Sequence, residues 1–356
     1  MQQRSIAWLR SSLILMPVLF LFSLLYRIII GLRNLLFDWH IFGVKKFSVP
    51  VISVGNISAG GTGKTPFTME LINMLYPGYK RIAVVSRGYG RQSRGLQLVS
   101  DGKGFIAGVE TGGDEPVLIA RRFPHCIVLV SEKRRLAIQR AIEQFQADLI
   151  LLDDAFQHRW VNRDVDIVLI SRTELNGPRN FLPAGDLREP LCNLKRANVI
   201  ILVNKEINTP AIDHAVLNEY YQGLIGSCHI KTECLVDSSL IPAGKPDQLI
   251  GQPVIAFSGI ANPGSFKKIL EQAGIQIRQF LIFPDHHVYT QKDIHRIKAA
   301  ARANKSRYLI TTEKDLVKLP GEQFTGFSLL AVRIGLHIVS PVGLREKLEA
   351  FIDKTA

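Results

Sequence analysis

The chain has 356 residues, 47% hydrophobic and 21% charged, with 44 lysines and arginines against 31 acids and a formal net charge of +13. Such a composition excludes a disordered or low-complexity chain and leaves room for two globular units. The positive excess favours an anionic partner such as a nucleotide, a phosphorylated lipid or a membrane surface; nucleic acid is set aside because no helix-turn-helix, RNA-binding or zinc-finger signature occurs.

Residues 1–46 differ from the rest. Positions 11–26 carry no charge and are rich in Leu, Phe, Ile and Val, with Arg4 and Arg10 before them and Arg27, Arg33, Lys45 and Lys46 after. No small-residue cleavage site follows, which argues against a removed leader. At about 1.5 Å per residue the run reaches about 24 Å, short of a hydrocarbon core of about 30 Å. Extending it to Leu32 would bury Arg27, and Pro17 is expected to kink it. An apolar helix lying in the cytoplasmic leaflet with its arginines on the headgroups is therefore expected. The alternative is a helix of the globular core.

From Val49 onward short apolar runs alternate with helical stretches, the pattern of a parallel α/β sheet. Strands are expected at 50–54, 81–86, 126–130, 149–152, 166–170 and 199–203, and helices at 64–75, 114–122, 133–146 and 209–221. A surface loop is expected at 176–190 and a linker at 237–251. The alternation then resumes with strands at 254–258, 279–283, 308–312 and 329–332 and helices from 265 and over 291–304. The expected fold is a phosphate-loop NTPase-type parallel sheet lobe (47–236) preceded by the membrane-associated helix, plus a second, smaller α/β lobe (252–356), with a cleft between. Cys126, Cys192, Cys228 and Cys234 form no C-x-x-C pair and no metal spacing, as for thiols in a reducing compartment.

The strand at 50–54 runs into Asn56-Ile57-Ser58-Ala59-Gly60-Gly61-Thr62-Gly63-Lys64-Thr65-Pro66 and then a helix. Strand, glycine-rich turn and helix are the context in which backbone N–H groups and a helix N-terminus gather phosphates. Residues 58–66 are the expected nucleotide cradle, Lys64 reaching the β/γ-phosphates and the Thr65 hydroxyl ligating Mg²⁺. Ser58 stands where the strict pattern has its first glycine. The strand at 149–152 ends in Asp153-Asp154, as a Walker-B strand delivers a carboxylate to Mg²⁺, and paired acids repel unless a cation is near. Gln157 and His158 follow in the same turn and can orient substrate or water, or be plain loop residues. In Gly112-Gly113-Asp114-Glu115-Pro116 the local pattern makes Asp114 an N-cap. In Pro284-Asp285-His286-His287 a single histidine suits proton handling better than a two-histidine metal site. Arg87, Tyr89 and Arg91 share a flexible loop, Arg135 opens a helix and Arg188 lies in Leu187-Arg188-Glu189-Pro190; arginines on loops at strand ends suit phosphate recognition, or serve only as solubility charges, a reading that fits the Arg87/Arg91 pair less well.

Taken together these stretches resemble the tetraacyldisaccharide 4′-kinase family of lipid A biosynthesis. The resemblance rests on Val54-Gly55-Asn56 leading to Gly60–Pro66, Ser86–Arg91, Gly113–Pro116, Asp153–His158, Leu182–Gly185 with Leu187–Pro190, Phe283–His286 and Thr311-Thr312-Glu313-Lys314-Asp315, and it spans nearly the whole chain. Ser58 in place of a glycine is a feature of that family's loop. The resemblance implies transfer of the ATP γ-phosphate, with Mg²⁺ held by Thr65 and Asp153, to the 4′-hydroxyl of a tetraacylated, singly phosphorylated glucosamine disaccharide. It places that lipid A precursor at the cytoplasmic face of a bacterial inner membrane and implies no obligate protein partner. It also implies that Asp114 and His286 form a catalytic pair across the two lobes, beside Lys64, Asp153 and Asp154, which replaces the N-cap reading of Asp114. Asp153 or Asp154 remains an alternative proton acceptor. Because the pair spans two lobes, His286 is expected to lie apart from Asp114 until the lobes close. Asn204-Lys205 stands where a Thr-Lys pair is familiar in the family.

Two other classes are weighed. A GTPase wants Asn-Lys-x-Asp, and Asn204-Lys205-Glu206-Ile207 lacks the Asp. A membrane-associated switch ATPase of the partitioning type shares Gly-Gly-x-Gly-Lys-Thr but requires a lysine just before the paired glycines, where Ala59 stands.

Overall fold

Runs of Val, Ile and Leu without alternation are what strands covered on both faces require, and such runs build the centre of this protein. The computed structural model describes residues 15–171, 174, 175, 177, 179–204, 215–340 and 343–355. Helix α1 is Met16–Asp38; β1 (Val51–Gly55) leads into α2 (Lys64–Leu75), followed by β2 (Ile82–Ser86), β3 (Gln97–Asp101) and α3 (Asp114–Arg122). Then come β4 (Ile127–Val130), α4 (Arg134–Phe145), β5 (Leu149–Asp153), β6 (Val165–Ser171) and β7 (Val199–Asn204). The chain continues with β8 (Leu224–Val236), β9 (Pro242–Gly244), β10 (Val254–Ser258), α5 (Pro263–Gln272) and β11 (Ile277–Ile282). It ends with α6 (Gln291–Ala303), β12 (Tyr308–Thr312), β13 (Ser328–Ser340) and α7 (Leu344–Thr355).

All described strands belong to one sheet, ordered β11-β10-β12-β13-β8-β7-β6-β1-β5-β2-β4-β3, with β9 beside β8. Strands pair in parallel except at the β3 edge, at β9 and at the seam between β8 and β13. That seam is long, because each of its strands has 13 residues. One apolar layer runs through the molecule, with Ile52 and Phe67 of the N-terminal half and Phe257, Ile297 and Leu348 of the C-terminal half in the same buried cluster.

The helices expected at 64–75 and 114–122 and the strands at 254–258 and 308–312 have those limits. Among the elements not foreseen are β3, β8 and α7. β3, an edge strand, and β8 mix polar with apolar residues and are only partly buried, and a search for wholly apolar strands passes over them. α7 hides its signal in a charged sequence, where only Leu344, Leu348 and Ile352 recur at helical spacing and are buried. Residues 237–251, expected as a linker, contain β9 and a 3₁₀ turn at Pro246–Leu249. Of the helix expected at 209–221, residues 209–214 lie outside the described residues, and Ala215–Asn218 is helical. Residues 11–14, with Arg4 and Arg10, also lie outside them. Pro17 does not kink α1; it stands in the first turn, where its missing N–H is not needed.

Candidate active site

The register puts Val54, at the end of β1, beside Asp153 of β5, so the phosphate loop and the acidic strand end are neighbours by sheet geometry. Gly55 allows this closeness: a Cβ there would lie 2.5 Å from the Cβ of Phe156 and 2.7 Å from its backbone nitrogen. The loop is braced from both sides. The Asn56 side-chain amide donates to Thr62 Oγ1 (3.0 Å), and Gln157 Nε2 donates to the Asn56 carbonyl (2.7 Å). The backbone N–H of Ala59 donates to the Asp186 carbonyl (2.7 Å), that of Arg188 to the Ile57 carbonyl (2.7 Å), and the Ser58 hydroxyl to Glu174. Gly60 and Gly61 are exposed with open space where a Cβ would sit, and Gly63 takes φ +86° as it caps α2. The loop therefore offers a stiff frame with an open glycine tip.

Lys64 Nζ lies 3.5 Å from Asp154, whose carboxylate also accepts two bonds from Arg188 Nη1 at 3.0 and 3.1 Å. Burial would raise the Asp154 pKa, but Lys64 and Arg188 outweigh it and keep the group ionised. Arg134, itself buried, donates to the Asp154 carbonyl at 3.1 Å. Asp153 is the opposite case. Its carboxylate accepts from the Thr68 hydroxyl (3.2 Å), and burial, Glu115 and Asp154 push its pKa up to about 7. A buried carboxylate among other acids calls for a cation. The Asp153 carboxylate and the Thr65 hydroxyl, buried in the first turn of α2, are hard oxygen donors suited to Mg²⁺. Among the described residues no group of three or more His, Cys, Asp or Glu is gathered for a metal.

Asp114 opens α3, and its Oδ2 is 2.9 Å from His286 Nδ1. The expected separation of the two is thus not found: the continuous β8–β13 seam already brings the loop after β11 against the start of α3. Burial would raise Asp114, yet the bond from His286 together with Lys314 and Lys318 holds it at about 2. The same bond raises His286 above its usual 6.5. His286 sits at φ +55°, held by its N–H donating to the Gly259 carbonyl (3.1 Å) and to Asp285 Oδ1 (3.1 Å). Glu115, the next residue after Asp114, pairs with Lys314; a Cβ on Gly113 would lie 3.3 Å from the Gly88 carbonyl carbon just beyond β2, and β2 lies beside β5, so the start of α3 and the Asp153 strand end are neighbours.

The other candidate residues divide by what they touch. Arg87 is exposed at the end of β2, and Tyr89 is 69% exposed with its ring 5.1 Å from that of His286. Arg135 is exposed on α4. Arg91 is occupied: it pairs with Glu132 and donates to Gly95 and Ser93, closing its own loop. Gln157 is likewise engaged with Asn56. His158 is pushed down to about 3 by burial and by Arg134, Arg163, Arg33 and Arg87, so it is a neutral imidazole at physiological pH. Sequence reasoning missed two contributions. Lys318 lies 3.6 Å from Asp114 and carries no local motif. α1 borders the site: Tyr26 OH donates to the Arg188 carbonyl (3.1 Å) and Arg33 to that of Gln157.

Residues 15–353 match the family described as Tetraacyldisaccharide-1-P 4′-kinase (LpxK). A tetraacyldisaccharide 4′-kinase of Aquifex aeolicus is 38% identical over 313 residues, 88% of this chain and 91% of the relative. One of Chlorobium limicola is 40% identical over 314 residues, 86% and 88% of the two chains. Among solved structures, that of Aquifex aeolicus LpxK, titled as the "apo" form in complex with ATP, superposes with a TM-score of 0.80 at 35% identity, covering 97% of this chain and 99% of that one.

Proposed function

Because the chain belongs to the tetraacyldisaccharide 4′-kinase family, we propose that it transfers the γ-phosphate of ATP to the 4′-hydroxyl of a tetraacyldisaccharide 1-phosphate, giving lipid IVA. The observation that carries this reading is that two clusters lie on neighbouring elements: Lys64, Asp153 and Asp154 at the phosphate loop, and Asp114 with His286 at the start of α3, packed on the end of β2 beside β5. In this reading residues 47–236 bind the nucleotide and residues 252–356 deliver His286.

Lys64 meets the β/γ-phosphates, exchanging its partner Asp154 for the incoming anion. Arg188 and Arg134 then keep Asp154 ionised and in place. Thr65 and Asp153 would hold Mg²⁺, which neutralises charge on the transferring group when bound. A sugar hydroxyl gives up its proton only as its oxygen bonds to phosphorus, so a weak base suffices if it is well placed. Asp114 takes that proton; His286 orients the carboxylate and sets its basicity. Arg87, Tyr89 and Arg135 are open to contact substrate, and Arg188 borders α1.

Ten large apolar residues of α1 are exposed, including Leu21, Leu24, Leu25, Ile28 and Ile29. They suit a helix lying in the cytoplasmic leaflet of the inner membrane, beside the acyl chains of the substrate. A partitioning-type switch ATPase is not favoured, since the family match covers residues 15–353.

The test is label transfer from γ-labelled ATP to the glycolipid by purified full-length protein with Mg²⁺. Labelled product is expected with a 1-phosphate acceptor and absent with one already phosphorylated at the 4′ position. ATP hydrolysis without labelled lipid would overturn the assignment.

A further inference from the structure

The Thr311–Asp315 segment and the lysine that follows it take no part in the reaction as described, yet they adjoin it. Asp315 is wholly buried just after β12. Its carboxylate accepts from the Gly259 N–H (2.9 Å), the Thr312 hydroxyl (2.8 Å) and Lys318 Nζ (3.0 Å). The Gly259 carbonyl in turn accepts the His286 N–H (3.1 Å). Lys318 is 8% exposed and also lies 3.6 Å from Asp114 Oδ2. One buried ammonium thus touches one member of the Asp114–His286 pair directly and the other through Asp315 and the Gly259 peptide. The packing leaves no slack: a Cβ on Gly259 would lie 3.0 Å from the Pro284 carbonyl oxygen and 3.2 Å from Asp315 Oδ1. Burying an ammonium is costly unless its charge is compensated, and here two carboxylates compensate it.

We propose that Lys318, seated on Asp315, is a positioning residue that holds Asp114 and His286 in their mutual register and sets the proton affinity of the pair. It touches neither substrate nor reacting atoms. The inference rests on Asp114 being the proton acceptor. Three charged groups bear on His286, namely Asp114, Asp285 and Lys314, and Lys318 acts through the first of them. Removing the Lys318 cation leaves more uncompensated negative charge at Asp114, so His286 should retain its proton to higher pH.

The test uses full-length enzyme with ATP, Mg²⁺ and glycolipid acceptor, comparing wild type, Lys318→Met, Lys318→Arg, Asp315→Asn, Asp114→Ala and Asp114→Ala/Lys318→Met across pH. For Lys318→Met, kcat should fall at least about tenfold with both KM values within about twofold, as for a group acting on the transition state. Its pH limb should move upward by about half a unit or more. Lys318→Arg should recover most of the kcat. Lys318→Met should cost nothing further in the Asp114→Ala background, because its effect passes through Asp114. Wild-type kcat and pH limb in Lys318→Met, or a full extra loss in the double variant, would overturn the inference while leaving a crippled Asp114→Ala to support the base assignment. An Asp114→Ala enzyme with wild-type kcat would overturn both. Should Lys318→Met not fold, Asp315→Asn keeps the shape and removes the charge that seats the lysine; it should show the same loss of kcat, and an unchanged kcat would overturn the inference.

Discussion

At the residue scale the site works by setting unlike environments for like groups. Asp153 and Asp154 are adjacent, yet one is raised to about 7 and the other held low, because burial, Glu115 and Asp154 outweigh Lys64 at the first while Lys64 and Arg188 outweigh burial at the second. Lys64→Ala or Thr65→Ala should each lower phosphoryl transfer by at least about 100-fold, since each removes charge stabilisation or a metal ligand; steady-state rates at saturating ATP and Mg²⁺ check this. Asp114→Ala and His286→Ala should each lower kcat more than they raise KM. The double variant should lose less than the product of the single losses, as for groups acting as one unit. The pair also carries a pH signature. Asp114 is lowered from 3.8 to about 2, so its contribution to stability is present above 3.8 and lost as pH falls through the folded value. His286 is raised from 6.5, so its contribution is present below 6.5 and lost as pH rises through the raised value. His286→Ala should therefore lower Tm more at about pH 5.5 than at about pH 9, the pair being fully charged only in the lower window. Equal shifts at both values would show that the bond is not an ion pair.

At the element scale α1 inverts the usual arrangement of an amphipathic helix. Its described buried residues are Ser23, Asn34 and Phe37, while ten of its large apolar side chains, Leu21, Phe22 and Leu32 among them, are exposed. Polar bonds hold it to the body: Ser23 Oγ donates to the Phe181 carbonyl (2.8 Å) and accepts from the Ala184 N–H (2.9 Å), and Asn34 Nδ2 donates to Glu189 (3.3 Å). Each exposed Leu or Ile moved from water into lipid contributes about 1.5–3 kcal/mol, so a few of them decide partition. Leu21→Ser/Leu25→Ser/Ile28→Ser should shift the enzyme from sedimenting vesicles to the supernatant and raise the KM for glycolipid, with Tm and ATP binding unchanged. A fall in Tm with unchanged partition would make α1 part of the core instead.

At the scale of the whole molecule the two halves share a sheet and an ion-pair network. Arg122, at the end of α3, lies 2.7 Å from Glu233 of β8 and 3.6 Å from Glu313, which Arg333 of β13 also reaches at 2.8 Å. Burial raises the Glu313 pKa, so that carboxylate depends on its arginines. Arg122→Ala leaves it half-compensated and should cost about 3 kcal/mol, seen as a lower Tm or denaturant midpoint. A loss under about 0.5 kcal/mol would place the network among ordinary surface pairs.

Local chemistry determined much by itself. The central strands, the 64–75 and 114–122 helices and the phosphate loop were legible because each is a short-range pattern: an apolar run, a glycine turn, a helical period. The order of motifs carried the family. The tertiary structure alone decided the rest, because those features depend on residues distant in sequence. β8 and β13 are legible as a seam only when paired, α1 turns its apolar face outward only because loop 180–190 takes its polar one, and Pro17 is harmless only because the helix starts beside it. The contact between Asp114 and His286 joins positions 172 residues apart, and Lys318 gains its place from a fold that surrounds it with Asp114 and Asp315. A lysine's sequence neighbours do not reveal which carboxylates it will meet; packing of the two halves on one sheet does.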